Sequence, residues 1–298
     1  MAKLRELVNR RKAVRNIAKI TRTMELIATA RFKKALDRAI EADAFTRKIA
    51  ELAADLSASA TTITHPLMSS RAEVKSSVLL VIAGNRGLCG GYNGGIMRVA
   101  VHRLRELAEQ PGLTTHLELS GKRAMQFFRY QGYTAEHTYT QFEDKPQFDG
   151  VDPIATRYIE GFIAGRYDRV EVAYQKFLSA SRQTPVVETL LPLASHQVET
   201  RKPGQVEATP SQNVEYEYLP DAASILAEIL PVAFKVRLFK CFLDAAVSEQ
   251  IARRVAMKAA TDNANDLIKS ISQSYNRARQ AQITKELAEI IGGAAAVE

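Results

Sequence analysis

Glycine and proline are the residues that stop helices, and this chain withholds both from its two ends. No glycine precedes Gly84, no proline precedes Pro66, and neither occurs from Val232 to Ile291. Runs of that length predict helices of ~80 to 90 Å at 1.5 Å per residue. An ordinary globular domain has no use for two such rods. The pattern places the two termini together on a spike and leaves the middle to fold as a compact body, which would then hold the core.

Each rod carries a narrow apolar seam. In the first, Ile17, Ile20, Met24 and Ile27 recur at steps of three and four, as do Phe45, Ile49, Leu52 and Leu56. In the last, Ile225, Ile229, Val232, Val236, Phe239 and Leu243 keep the 3.5-residue repeat of a coiled coil. The seam drifts through Val247, Ile251 and Val255 and resumes at Ile268, Ile271, Tyr275 and Ala278. The simplest partner for each seam is the other, an intramolecular antiparallel coiled coil; a homodimer satisfies the same pattern.

The middle has another texture. Ser77–Ala83 is a short apolar run ending at glycines, Tyr92–Gln110 has helical spacing, Thr115–Leu119 reads as a strand and Lys122–Gln131 as a helix. Pro153–Gly165 follows as a helix and Arg169–Phe177 as a strand. That alternation predicts a Rossmann-like α/β layer with a largely parallel sheet. Val186–Leu193 and Val214–Tyr218 are predicted as further strands at an edge, punctuated by Pro185, Pro192 and Pro220, with a polar loop over 196–213. The fold class is therefore mixed α+β and α/β: a shaft helix over 1–65, a central body over 66–220, and a second shaft helix over 221–298.

Charge and chemistry narrow the function. Net charge is +8, and residues 1–38 hold twelve Lys and Arg against Glu6, Glu25 and Asp37, either a solvated helix face or a surface for an anionic partner. No run reaches the ~18 apolar residues of a membrane-spanning helix. Cys89 and Cys241 fit neither a disulfide framework nor metal-ligand spacing, and the five histidines are scattered, so no metal site is expected. Gly84–Gly95, GNRGLCGGYNGG, sits where a phosphate loop would sit, yet its glycines do not follow G-x-G-x-x-G and no acid lies at a strand end about twenty residues on. A tight turn that another protein can approach closely is the better use of these glycines. Gly121–Lys122 lacks the rest of a Walker A loop, and no catalytic constellation or cofactor site emerges. From Ser248 to Ala281 the last rod is rich in Ala, Ser, Thr and Asn, either a slim surface suited to a shaft loosely enclosed by something else or simply an alanine-rich solvated helix.

Four segments together carry a family resemblance: ITRTMELIATARFKKA from Ile20, GNRGLCGGYN from Gly84, SEQIARRVAMKAATDNANDLI from Ser248, and YNRARQAQITKELAEIIGGAAA from Tyr275. Over essentially its full length the chain resembles the gamma subunit of the rotary proton-translocating ATP synthase. The resemblance implies a non-catalytic central stalk, coupling rotation of a membrane ring of c subunits to conformational change in the beta subunits of an alpha–beta hexamer. It implies the epsilon subunit as a further partner, no cofactor, no nucleic acid, and membrane association only through partners. Residue by residue, Met24, Arg279, Gln280, Thr284 and Glu286 match beta-contacting positions. Gly87, Leu88, Cys89, Gly90 and Gly91 match the turn near epsilon and the ring.

The departures from the family pattern are local. Asn85 stands where an acid or serine is usual, Tyr92 where Phe is common, and Leu219 where an acid can face the ring. Pro231 is expected to kink its helix or postpone its start. The two cysteines do not supply the regulatory pair of chloroplast forms. The motif-bearing helix begins almost at Met1, which favours a bacterial chain peripheral to the cytoplasmic face of the inner membrane.

Overall fold

A computed structural model describes residues 2–59, 65–71, 73–143, 145–193 and 222–295. The elements in chain order are α1 (Ala2–Ser59), β1 (Ser76–Ile82), α2 (Tyr92–Ala108), β2 (Thr114–Ser120), α3 (Lys122–Tyr130), β3 (His137–Tyr139), α4 (Phe148–Ile163), β4 (Arg169–Phe177), β5 (Gln183–Leu191) and α5 (Ala222–Ala295). The two expected long helices are present, with 58 and 74 residues. The polar stretch 196–213 and the strand expected at Val214–Tyr218 lie outside the described residues, as does Leu219.

Contacts divide the chain into two compact units: residues 1–30, 88–90 and 252–298 in one, and 31–87 with 91–251 in the other. The punctuation of the sequence suggests boundaries at 65 and 221, whereas contacts group residues 31–59 and 222–251 of the long helices with the sheet.

The sheet of the second unit has strand order β3-β2-β1-β4-β5. β1 is parallel to β2 and β4, β2 to β3, and only the edge strand β5 runs antiparallel, against β4. β1 is buried from Ser77 to Ile82, as a strand must be when helices cover both faces. One face supplies Val78, Leu80 and Ile82, and beside them Val170 and Val172, to a core shared with Val151, Ala155, Tyr158 and Phe162 of α4. The expectation that this core belongs to the middle of the chain alone is corrected here. Leu226, Leu230, Phe234, Leu238 and Phe242 of α5 are part of it, at steps of four that turn one broad helix face inward. Val232, assigned to a seam by its spacing, is 40% exposed. Pro231 does not postpone the helix, which begins nine residues earlier, at Ala222. α2 and α3 contact the strands through Ile96, Ala100, Leu104, Ala124 and Phe128, all buried.

In the first unit the helices are paired by a strict heptad. Along α1 one line of shielded residues steps three and four without a break, Leu4, Leu7, Arg11, Val14, Ala18, Thr21, Glu25 and Ala28, with Met24 half-buried beside it. The α5 partner positions are Met257, Thr261, Ala264, Ile268, Ile271, Tyr275 and Ala278, so the expected seam from Ile268 to Ala278 is present. Thr261 Oγ1 bonds Thr21 Oγ1 at 2.8 Å, and the Arg11 guanidinium lies over the Tyr275 ring at 5.3 Å. The partner number on α5 rises as that on α1 falls, so the pairing is antiparallel. The seam expected on α1 is displaced: Ile17, Ile20 and Ile27 are 51%, 59% and 47% exposed, and Thr21 and Ala28 are buried in their place.

Candidate functional site

The glycine-rich turn between β1 and α2 is held by its own polar groups. Gly84 N donates to Asn93 Oδ1 at 2.9 Å, and Arg123 N donates to Gly84 O at 3.2 Å. Asn85 explains itself here. Its Oδ1 accepts from Lys122 N, the first amide of α3, while its Nδ2 donates to the carbonyls of Thr140 and Phe142. Neither an ionised acid nor a serine can accept once and donate twice. Gly121 N donates to Tyr139 O, and a Cβ at Gly121 would stand 2.0 Å from Ala83 O. The amides that would cradle a phosphate at the start of α3 are therefore already engaged.

Within the turn the predicted residues separate. Leu88 takes a φ of 61°, a left-handed conformation that costs a branched side chain roughly 1–2 kcal/mol, and is 59% exposed. Cys89 is buried beside it, and Gly90, with φ 55°, has Ala256 Cβ 3.7 Å from where its own Cβ would be. Leu88–Gly90 cluster with the paired helices, and Gly87 and Gly91 with the sheet. The Gly87 position lies 3.1 Å from Arg123 Nη2, and Gly91 is open to solvent. Tyr92, the other departure in this region, is buried and its hydroxyl donates to Ala245 O at 3.1 Å, a bond that Phe cannot make.

Arg279, Gln280, Thr284 and Glu286 share the last turns of α5 and all are exposed. Gln282 Nε2 donates to Glu286 Oε1 at 2.9 Å. Met24 is half-buried on α1. The antiparallel register sets Met24 beside residues near 258, so it stands roughly 30 Å along the helix pair from Arg279. These five residues form two separate surfaces, not one site.

Sequence reasoning missed a second kind of candidate. Ile17, Ile20, Leu26 and Ile27 on α1, and Ile283, Leu287, Ile290 and Ile291 on α5, are all between 47% and 67% exposed. Clustered exposed apolar residues mark contact surfaces. The signal was visible in the α1 isoleucines, but their spacing was assigned to the seam.

The ionic cluster around Glu118 is buried and structural. Glu118 Oε2, fully buried, accepts bonds of 2.7 Å from Arg157, Tyr139 and Tyr158. Burial alone would raise its pKa, but these donors outweigh burial and hold the carboxyl below its ordinary value. Among the described residues no group of His, Cys, Asp and Glu is arranged to hold a metal ion, and no helix is long and apolar enough to cross a membrane. Neither cysteine forms a disulfide, and both are buried.

A family model described as ATP synthase matches residues 3–297. The chain is 50% identical to the ATP synthase gamma chain of Rhodopirellula baltica and 38% identical to that of Leptospira biflexa, covering the whole of both chains in each case. It is similar in fold to a chain of the Euglena gracilis mitochondrial ATP synthase assembly of OSCP, F1 and c-ring in rotational state 3. The TM-score is 0.65 at 16% identity, over 99% of this chain and 95% of that one.

Proposed function

The chain belongs to the ATP synthase gamma-chain family, and from that premise we propose how its surfaces serve a central rotor stalk. As a gamma chain it is a subunit of a membrane-associated ATPase complex. Its place is the rotor, between a catalytic hexamer of alpha and beta subunits and a ring of c subunits. The carrying observation is the register of the helix pair. The heptad interface consumes small residues such as Thr21 and Ala28, which leaves Ile17, Ile20 and Ile27 facing outward. A shaft acts on a surrounding subunit only by contacting its conformations unequally. The apolar side of α1 and the basic residues that share the helix, such as Lys19 and Arg22, give unequal sides.

In this reading the chain performs no bond-making. The amides at the start of α3 are engaged within the chain, the glycines of Gly84–Gly95 do not follow a phosphate-loop pattern, and catalysis belongs to the beta subunits. Arg279, Gln280, Thr284 and Glu286 contact beta near the end of the shaft, Arg279 offering a fork to a carboxylate. Met24 contacts beta farther along, where an unbranched thioether adapts to changing neighbours. The turn Gly87–Gly91 presents Leu88 to the epsilon subunit and the ring. The complex lies at the cytoplasmic face of a bacterial inner membrane, with this chain peripheral.

Two experiments test these assignments. Arg279→Ala combined with Gln280→Ala is expected to reduce proton-driven ATP synthesis several-fold in reconstituted vesicles, while the isolated chain melts as the native one does. Unaltered synthesis would overturn the role of this pair. A photocrosslinking amino acid at position 88 is expected to label epsilon or c in the assembled complex; labelling confined to beta would overturn the assignment of the turn.

A further inference from the structure

In the unit that holds the sheet, α1, α5, β4 and β5 bring an unusual set of charges together. Lys240 of α5 forms an ion pair and hydrogen bond with Asp43 of α1. One turn along α5, on the same side as Lys240, Asp244 is 4% exposed. The carboxylate of Glu188 on β5 is well provided for: Tyr174 Oη of β4 and Arg237 Nη2 of α5 both donate to it at 2.7 Å, and Lys176 Nζ of β4 stands 3.7 Å away. Asp244 is less favoured. Lys240 and Lys176 attract its charge, but Asp43 and Glu188 repel it. The thiol of Cys241, raised by burial first and then by Glu188 and Asp244, completes the group as a neutral member.

We propose that Asp244 is a proton-operated latch on the docking of α1 against α5 in this unit. With Asp244 neutral, Lys240 is committed to Asp43 and holds the two helices together. With Asp244 ionised, Lys240 is drawn between two carboxylates and the hold on α1 weakens. The contact at stake is the apolar one beside it, where Ala35 and Ala39 pack against Leu243 and Val247, with Phe32 and Phe177 at its margin.

Burial pushes the Asp244 carboxyl up to about 7, with Lys240 opposing and Asp43 adding to the rise. The folded chain therefore keeps a proton that the unfolded chain releases near pH 4. Stability from this group is fully present below pH 4 and falls as pH rises toward 7. The latch is closed on the acid side of neutrality and loosened on the alkaline side. It rests on none of the partner assignments above.

The test uses the full chain, with aspartate carboxyl NMR and hydrogen exchange of residues 31–46, corrected for intrinsic exchange chemistry. Native Asp244 is expected to titrate near neutrality, and protection over 31–46 to fall about tenfold from pH 6 to pH 8.5, the change that follows when a carboxyl near 7 in the docked state returns to its ordinary value near 4 in the undocked one. Asp244→Asn is expected to retain the high protection at both pH values. Lys240→Met is expected to lose it at both. The same pH dependence in Asp244→Asn as in the native chain would overturn the proposal. So would a native Asp244 midpoint below pH 5, which decides the matter even where neither variant folds.

Discussion

Thr21 and Thr261 meet hydroxyl to hydroxyl, 2.8 Å apart and buried, inside the helix pair. Thr21 Oγ1 lies 3.2 Å from Ala18 O and Thr261 Oγ1 2.9 Å from Met257 O, so two hydroxyl protons serve three close contacts. Replacing one partner leaves the other short of a bond, whereas replacing both with a residue of the same shape removes the demand. Thr21→Val is expected to cost about 1 kcal/mol. Thr21→Val with Thr261→Val is expected to lie closer to the native chain than the sum of the single changes. A double-mutant cycle by urea unfolding checks this, and strict additivity would show that the two hydroxyls do not interact.

The register of α1 makes a sharper prediction. Ile20 is 59% exposed, so Ile20→Ser is expected to alter the stability of the isolated chain by no more than about 0.5 kcal/mol. Ala28 is 1% exposed, and Ala28→Leu is expected to destabilise by about 1–3 kcal/mol through overpacking. The reverse order in thermal melts would return the isoleucines to the interface.

That register is also where sequence and structure part company. Large apolar residues at helical spacing normally face a helical partner, yet here small ones do, because Ala and Thr let two backbones approach closely. A count of isoleucines cannot see this; the unbroken three–four steps through Ala18, Thr21, Glu25 and Ala28 could have revealed it only with small and polar residues admitted to the seam. The sheet was more legible. β4 lies at Arg169–Phe177 as its β-branched and aromatic content predicts, and β1, β2, α2 and α3 lie within two residues of expectation. β3 was missed because His137–Tyr139 is three residues without apolar alternation. α4 starts at Phe148, five residues before the Pro153 taken as its first turn. Of the proposed contact residues, Arg279, Gln280 and Leu88 are exposed, but spacing could not reveal the left-handed φ at Leu88 or the amide of Asn85 bridging three segments.

Glu118→Gln removes the charge that faces Arg157 in the buried cluster. Because a quarter of the Arg157 side chain still meets solvent, the expected loss is near the lower end for a broken buried pair, about 3 kcal/mol. The native carboxyl is held below its ordinary value, so its contribution is present above about pH 4.5 and vanishes as pH falls through the folded value. Glu118→Gln is therefore expected to flatten the acid limb of a stability–pH profile. An acid limb as steep as that of the native chain would overturn the assignment.

Gly121→Ala places a methyl group 2.0 Å from Ala83 O at a φ of 98°. The carbonyl directly follows β1, where Ala83 N is bonded to Ser120 O, and the first amides of α3 are bonded to Asn85 and Gly84, so both sides of the contact are held. The expected loss exceeds about 4 kcal/mol and is visible as missing soluble protein or a lost cooperative melt. A variant melting with the native chain would show that the β1–α3 junction is plastic.

The hydrogen bond between Thr21 and Thr261 spans 240 residues of sequence. At the usual pace of translation the first helix leaves the ribosome tens of seconds before its mate exists. Until then its small-residue seam and its outward isoleucines are both uncovered. The nascent chain must be kept from aggregating by something other than its own fold, and a stop codon anywhere before the final fifty residues would release a product with the first half of that helix permanently unmatched.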